Sequence, residues 1–118
     1  MGLIDQIRRF FRSVPRSVVF DEEKVVRTMS DGETEMVRWD ELISVTVITT
    51  DEGPWSEDVF WILKSQDGGC AVPQGVTGAG ELLKRLQELP GFKNEVFIEA
   101  MGSTRVASFL CWERYASI

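Results

Sequence analysis

Apolar positions near the start of the chain recur with a helical period. Leu3, Ile4, Ile7, Phe10, Phe11 and Val14 stand three and four residues apart, so at about 100° per residue they share one arc of roughly 120°. Asp5, Gln6, Arg8, Arg9, Arg12 and Ser13 fill the remainder, and Pro15 stops the pattern, because proline cannot continue a helix interior. The spacing predicts an amphipathic basic helix within residues 1–16, with Leu3, Ile7, Phe10, Phe11 and Val14 as its docking side. A helix of about 12 residues is marginal alone. Its stripe needs a support: its own domain, a second copy, an anionic membrane surface or an unrelated partner.

From Ser17 the period shortens to two. Ser17–Phe20 begins a strand, and Lys24–Met29 and Thr34–Trp39 flank Asp31-Gly32, a strong signal for a two-residue hairpin turn. Such a turn sets Val26 opposite Val37 and Lys24 opposite Trp39, with Arg27 and Met36 on the other face. Ile43, Val45 and Val47 then share one side of a second alternating run. Gly53-Pro54 marks Asp51–Glu57 as a loop. The unbroken apolar run Val59–Leu63 predicts a central strand covered on both faces. A turn over Gln66–Gly69 leads to a short strand, Cys70–Val72, stopped by Pro73.

The remaining segments carry helical spacing and one last strand. Thr77-Gly78 opens a helix with Ala79, Leu82, Leu83, Leu86 and Leu89 on one face, and Pro90-Gly91 closes it. Its outer face pairs Glu81 with Arg85 and Lys84 with Glu88. Asn94 is placed to cap a short helix carrying Phe97 and Met101, and Val106–Trp112 has the pattern of a final strand. Strands followed by helices indicate α+β, and short connections favour antiparallel pairing. The expected fold is an α+β domain over residues 17–118: a mainly antiparallel bent sheet of about five to six strands with a C-terminal leucine-rich helix.

Composition narrows the chemistry. A chain of 118 residues is one domain by length. It has no apolar run near the roughly 20 residues of a membrane span. Two cysteines are too few for a disulfide scaffold. The absence of histidine removes the commonest general base and zinc ligand. The net charge of −6 divides into +3 over residues 1–16 and −9 over the rest. An acidic body repels phosphate backbones, so nucleic acid is not expected, and a basic protein surface is the electrostatic complement. No secretory pattern precedes the body, and the expected setting is cytoplasmic with Cys70 and Cys111 reduced.

Individual motifs reduce mostly to structure. Cys70 follows Gly68-Gly69 but has no histidine to activate it, and reads as a core thiol. Asp51, Glu52, Glu57 and Asp58 lack the spacing of a calcium loop. The glycines of Gly75–Gly80 precede a helix without a phosphate-loop lysine, and Glu81 opposes an anion there. Trp39, Trp61 and Trp112 read as core. Trp55, beside Gly53-Pro54, is either tucked over the core or exposed as an interface anchor. The candidate partner-binding set is therefore Asp51, Glu52, Trp55, Glu57 and Asp58, and no catalytic residue, metal ligand or cofactor is assigned.

The hairpin followed by Val37-Arg38-Trp39-Asp40-Glu41-Leu42-Ile43 resembles small bacterial pleckstrin-homology-like domains, in which a strand ends in an aromatic-acidic-acidic-aliphatic step. The leucine-rich helix is similar to the one that plugs such a bent sheet. The likeness covers roughly residues 18–90, and the segment Asn94–Trp112 departs from it. The resemblance implies a binding module, often without enzymatic activity. The phosphoinositide ligand of some relatives needs a basic pocket, whereas this hairpin carries Asp31, Glu33 and Glu35, so that ligand does not carry over. The expectation is a non-catalytic module that engages another protein through an acidic face, an inhibitor or immunity-type protein being one form. The alternatives are a homodimer assembled through the N-terminal helix and a peripheral membrane-surface protein.

Overall fold

The computed structural model describes residues 15–50 and 59–115. They form strands β1 (Pro15–Phe20), β2 (Lys24–Met29), β3 (Thr34–Arg38), β4 (Leu42–Thr49), β5 (Val59–Ser65), β6 (Gly68–Pro73) and β7 (Ala107–Glu113), with helices α1 (Ala79–Gln87) and α2 (Asn94–Met101) between the last two. The expected single bent sheet is replaced by two antiparallel sheets, ordered β1-β2-β3 and β6-β5-β4-β7. A one-turn 3-10 helix at Trp39–Glu41 separates them. It ends the pairing of β3, so that β4 takes β5 and β7 as neighbours instead. The final described element is the strand β7 rather than a leucine-rich helix, and the fold is mostly β. The expected helix docking residues Leu3, Ile7, Phe10, Phe11 and Val14 lie outside the described residues, while Pro15 and Arg16 belong to β1.

The two sheets enclose one core. Val18, Val25 and Val37 enter it from the first sheet, and Val45, Val47, Trp61, Leu63, Cys70, Val72 and Cys111 from the second. Helix α1 closes it with Ala79, Leu82 and Leu86, the inward members of its i, i+3, i+7 row. Full burial of each leucine contributes about 1.5–3 kcal/mol. Central strand β5 has neighbours on both sides, in keeping with its continuous apolar run.

The β2–β3 hairpin differs by one residue from the register expected. Val25 pairs with Val37, Val26 with Met36 and Lys24 with Arg38. The loop has three residues, Ser30-Asp31-Gly32. Gly32 N donates to Met29 O at 2.9 Å and Met29 N to Glu33 O at 2.8 Å, with Gly32 at φ 90°. This is a turn closed by a left-handed glycine, which Asp-Gly serves as readily as the two-residue form. A one-residue slip exchanges the faces of a strand. Val25, Arg27 and Met29 therefore face inward, while Val26 and Met36 face out. Trp39 leaves the strand and opens the 3-10 turn.

Arg27 is the largest consequence of that register, with 0% of its surface exposed. Its Nη1 donates to Ala71 O at 2.6 Å, and its Nη2 pairs with the Glu35 carboxylate on the neighbouring strand. Ala71 lies on β6, the edge strand of the other sheet, so one guanidinium ties the two sheets together. An unpaired edge carbonyl in a core would carry a desolvation cost of about 1–3 kcal/mol.

Two local expectations at the helices also change. Lys93, not Asn94, is the N-cap of α2, with no side-chain cap bond. Asn94 Oδ1 instead accepts from Gln87 Nε2 at 3.1 Å, linking α2 to the end of α1. At the start of α1, Gly78 has φ 92° and a Cβ there would overlap the Val18 carbonyl oxygen. The bare backbone lets Val18 N donate to Thr77 O at 2.9 Å, which fastens α1 to β1.

Two outcomes follow for stability. Gly78→Ala is expected to lower unfolding free energy by about 1–3 kcal/mol in urea titration, from strain and overlap together. Glu35→Ala is expected to cost about 2 kcal/mol by leaving Arg27 buried without its carboxylate. Adding Arg27→Met should restore part of that loss, a coupling that a double-mutant cycle measures.

Candidate functional site

The outward face of the first sheet is the most ordered surface pattern among the described residues. Its strands place side chains in cross-strand rows. Ser17, Thr28 and Thr34 form a hydroxyl row; Val19, Val26 and Met36 form an apolar row; Lys24 and Arg38 form a basic row. Val19 is 61% exposed and Met36 58%, while Val26 between them is half-buried. Alternation drives this arrangement: the residues interleaved with them, Val18, Val25, Arg27 and Val37, are in the core.

Charge is concentrated at the ends of this sheet. Residues 21–41 contain eight carboxylates and three cations, and Arg27 is buried against Glu35. Asp21, Glu22 and Glu23 occupy the β1–β2 turn and Asp31 and Glu33 the β2–β3 turn, all exposed. The two outward cations are locally compensated: Lys24 Nζ lies 3.3 Å from Asp21, and Arg38 lies 3.3 Å from Asp40 and 3.8 Å from Glu23. The net field over the face is therefore negative. Asp21 Oδ1 accepts from Glu23 N at 2.8 Å and Lys24 N at 2.9 Å, and these backbone bonds hold its carboxyl below its ordinary range.

The turn at Asp21 is anchored from below. Trp39 Nε1 donates to Asp21 O at 2.8 Å. The Trp39 ring meets Phe20 edge-on with centroids 6.2 Å apart, and the Arg85 guanidinium of α1 stands 4.5 Å over it. Beside Val19 a shallow groove of about 320 Å³ runs between β1 and α1, lined by Val18, Val19, Phe20, Gly78 and Glu81. Its one carboxylate, Glu81, extends the negative field to this side. Gly78, just before α1, serves close packing on β1.

Both cysteines are free and buried. Burial pushes the Cys70 thiol up to about 11, with Arg27 pulling the opposite way and Glu35 adding to the rise. Burial likewise raises Cys111 to about 11, against a backbone hydrogen bond from Val47. Neither offers a thiolate nucleophile near neutral pH. Among the described residues no group of three or more Cys, Asp or Glu is arranged to hold a metal ion, and no helix is long and apolar enough to cross a membrane.

The sequence-derived set Asp51, Glu52, Trp55, Glu57 and Asp58 lies outside the described residues. Trp61 and Trp112 are buried in strands as expected, whereas Trp39 is half-buried in the 3-10 turn. The apolar row Val19–Val26–Met36 was hidden from the sequence by the loop length: the two-residue turn turns Val26 inward. The acidic turns themselves were plain in the sequence. No family model, curated protein or solved structure matches the chain, so the resemblance to pleckstrin-homology-like domains stands on its sequence motif alone.

The raised thiols give a pH window. Because their folded values exceed the ordinary value of 9.0, their contribution to stability is full below about pH 9 and is lost as pH rises toward 11. In the native protein at pH 8, both should react with an aromatic disulfide reagent at least 100-fold more slowly than in urea. Stopped-flow absorbance measures the two rates.

Proposed function

We propose that this protein is a non-catalytic binding module that engages another protein through the outward face of the β1-β2-β3 sheet. The observation that carries this reading is the exposed row Val19–Val26–Met36 set between carboxylate-rich turns. Burying Val19 and Met36 against a partner would contribute on the order of 1–2 kcal/mol each. The surrounding negative field would steer a basic surface toward the face and repel acidic ones. The partner is thus a protein with a basic rim around an apolar patch. An inhibitor or immunity-type protein that covers a basic enzyme is one form of this reading. A cytoplasmic setting belongs to the same proposal and is supported by the free thiols.

Val19→Thr with Met36→Thr keeps strand propensity while removing the apolar row. Compared with the unaltered full chain, this variant should retain its captured partner about ten-fold less well, with circular dichroism unchanged. Glu22→Lys with Glu33→Lys should slow association and weaken its salt dependence. Capture of every partner at unchanged affinity by both variants overturns the reading. Loss confined instead to a Trp55→Ala, Asp51→Lys, Glu52→Lys variant would move the interface to residues 51–58.

A further inference from the structure

Strand β1 is an edge strand whose free side is only partly used. Ser17 bridges Thr77 in parallel, and Val18 N donates to Thr77 O at 2.9 Å. The chain then turns away at Gly78, φ 92°, into α1. Successive residues of a paired strand aim their backbone groups to opposite sides. Val18 N points away from β2, whereas Asp21 N points toward it and donates to Lys24 O at 3.0 Å. Phe20 therefore aims its N–H and its carbonyl out along the same free edge as Val18. Among the described residues nothing pairs with either group. The groove between β1 and α1 lies along this stretch, with the exposed Val19 on its β1 side and Glu81 on its α1 side.

We propose that this edge takes an extended segment of a partner protein as an added strand, continuing the line that Thr77 begins. The proposal rests on the reading of the protein as a binding module and adds how the partner is held. Unpaired backbone groups on a sheet edge are a template for such an addition. Side chains of the added strand alternate between two sides. On the outward side they extend the row Val19–Val26–Met36, which calls for apolar residues. On the inner side they reach toward α1 and Glu81, which calls for basic ones. Glu81 forms no ion pair among the described residues, since Arg85, one turn further along α1, stands over the Trp39 ring. Glu22, just beyond the end of β1, is a further exposed carboxylate. The complementary segment therefore alternates apolar and basic residues. A second copy fits poorly: two β1 edges laid together would set Glu81 and Glu22 of one copy near those of the other, and like charges oppose such a pairing.

The probe is a blocked hexapeptide of alternating valine and lysine, titrated into the nitrogen-15-labelled full chain and followed by NMR. The Phe20 N–H should move downfield as it gains an acceptor, and its exchange with deuterium should slow. Glu81→Gln should weaken binding about three-fold, and a valine–glutamate hexapeptide should leave Phe20 unmoved. Only one alternate set of peptide nitrogens can face β1. Of two peptides N-methylated at the valines or at the lysines, one should therefore bind about five-fold more weakly than the other. Equal binding of both methylated forms, or a Phe20 amide unmoved by the probe, overturns the proposal. A Phe20 N–H already protected in the free chain also overturns it: protection that persists on dilution assigns the edge to another segment of this chain, and protection that dilution removes assigns it to a second copy. Met36 lies two strands from the edge, so Met36→Thr should leave probe affinity unchanged. Loss of partner capture in that variant, with Phe20 unmoved by the probe, retains the outward face and removes the edge.

Discussion

The guanidinium of Arg27 has to be neutralised and hydrogen-bonded inside the protein, and the two-sheet arrangement is built around that requirement. A buried cation with no partners costs several kcal/mol. Here Glu35 supplies the charge from β3, and the Ala71 carbonyl supplies an acceptor from β6. The first bond fixes the hairpin, and the second fixes the hairpin against the other sheet. An apolar residue at position 27 would fill space without selecting which edge carbonyl it met. The Arg27 geometry gives the packing a direction, a role that buried ionic groups can play whether or not they add net stability. The same guanidinium sits close enough to Cys70 to oppose the effect of burial on its thiol.

From that inward arginine the character of the opposite face follows. Alternation puts Val26 and Met36 outside once Arg27 is inside, and β1 adds Val19 to the same row. The carboxylates gather at the turns because turns are where exposed chain is available, and Asp21 and Asp31 also cap their own loops. Apolar surface bordered by charge of one sign gives a partner both something to desolvate and a reason to approach in one orientation. The binding reading therefore joins an apolar row set by the register with carboxylates set by the turns.

The second sheet is organised differently. Its strand β5 lies between β6 and β4, and apolar side chains on both of its faces are buried. One of those faces meets the partner sheet and α1, while Ile48 and Phe60 on the other form a smaller apolar cluster of their own. The first sheet, by contrast, exposes Val19 and Met36 on its outward face.

Much of the local structure was legible without coordinates. The apolar run of β5, the leucine row of α1, the acidic bias and the buried cysteines all follow from residue type and spacing, which act over a few neighbours. The break between sheets was not legible, because Trp39–Glu41 can end a strand in one sheet or bend a continuous one, and only the pairing of β7 with β4 separates the two outcomes. The hairpin register was equally open. Asp31-Gly32 suits loops of two or three residues, and choosing between them decides whether Arg27 or Val26 enters the core. Local propensity would place the arginine in water. The tertiary structure places it inside, because only there do Glu35 and the edge carbonyl of Ala71 meet to receive it.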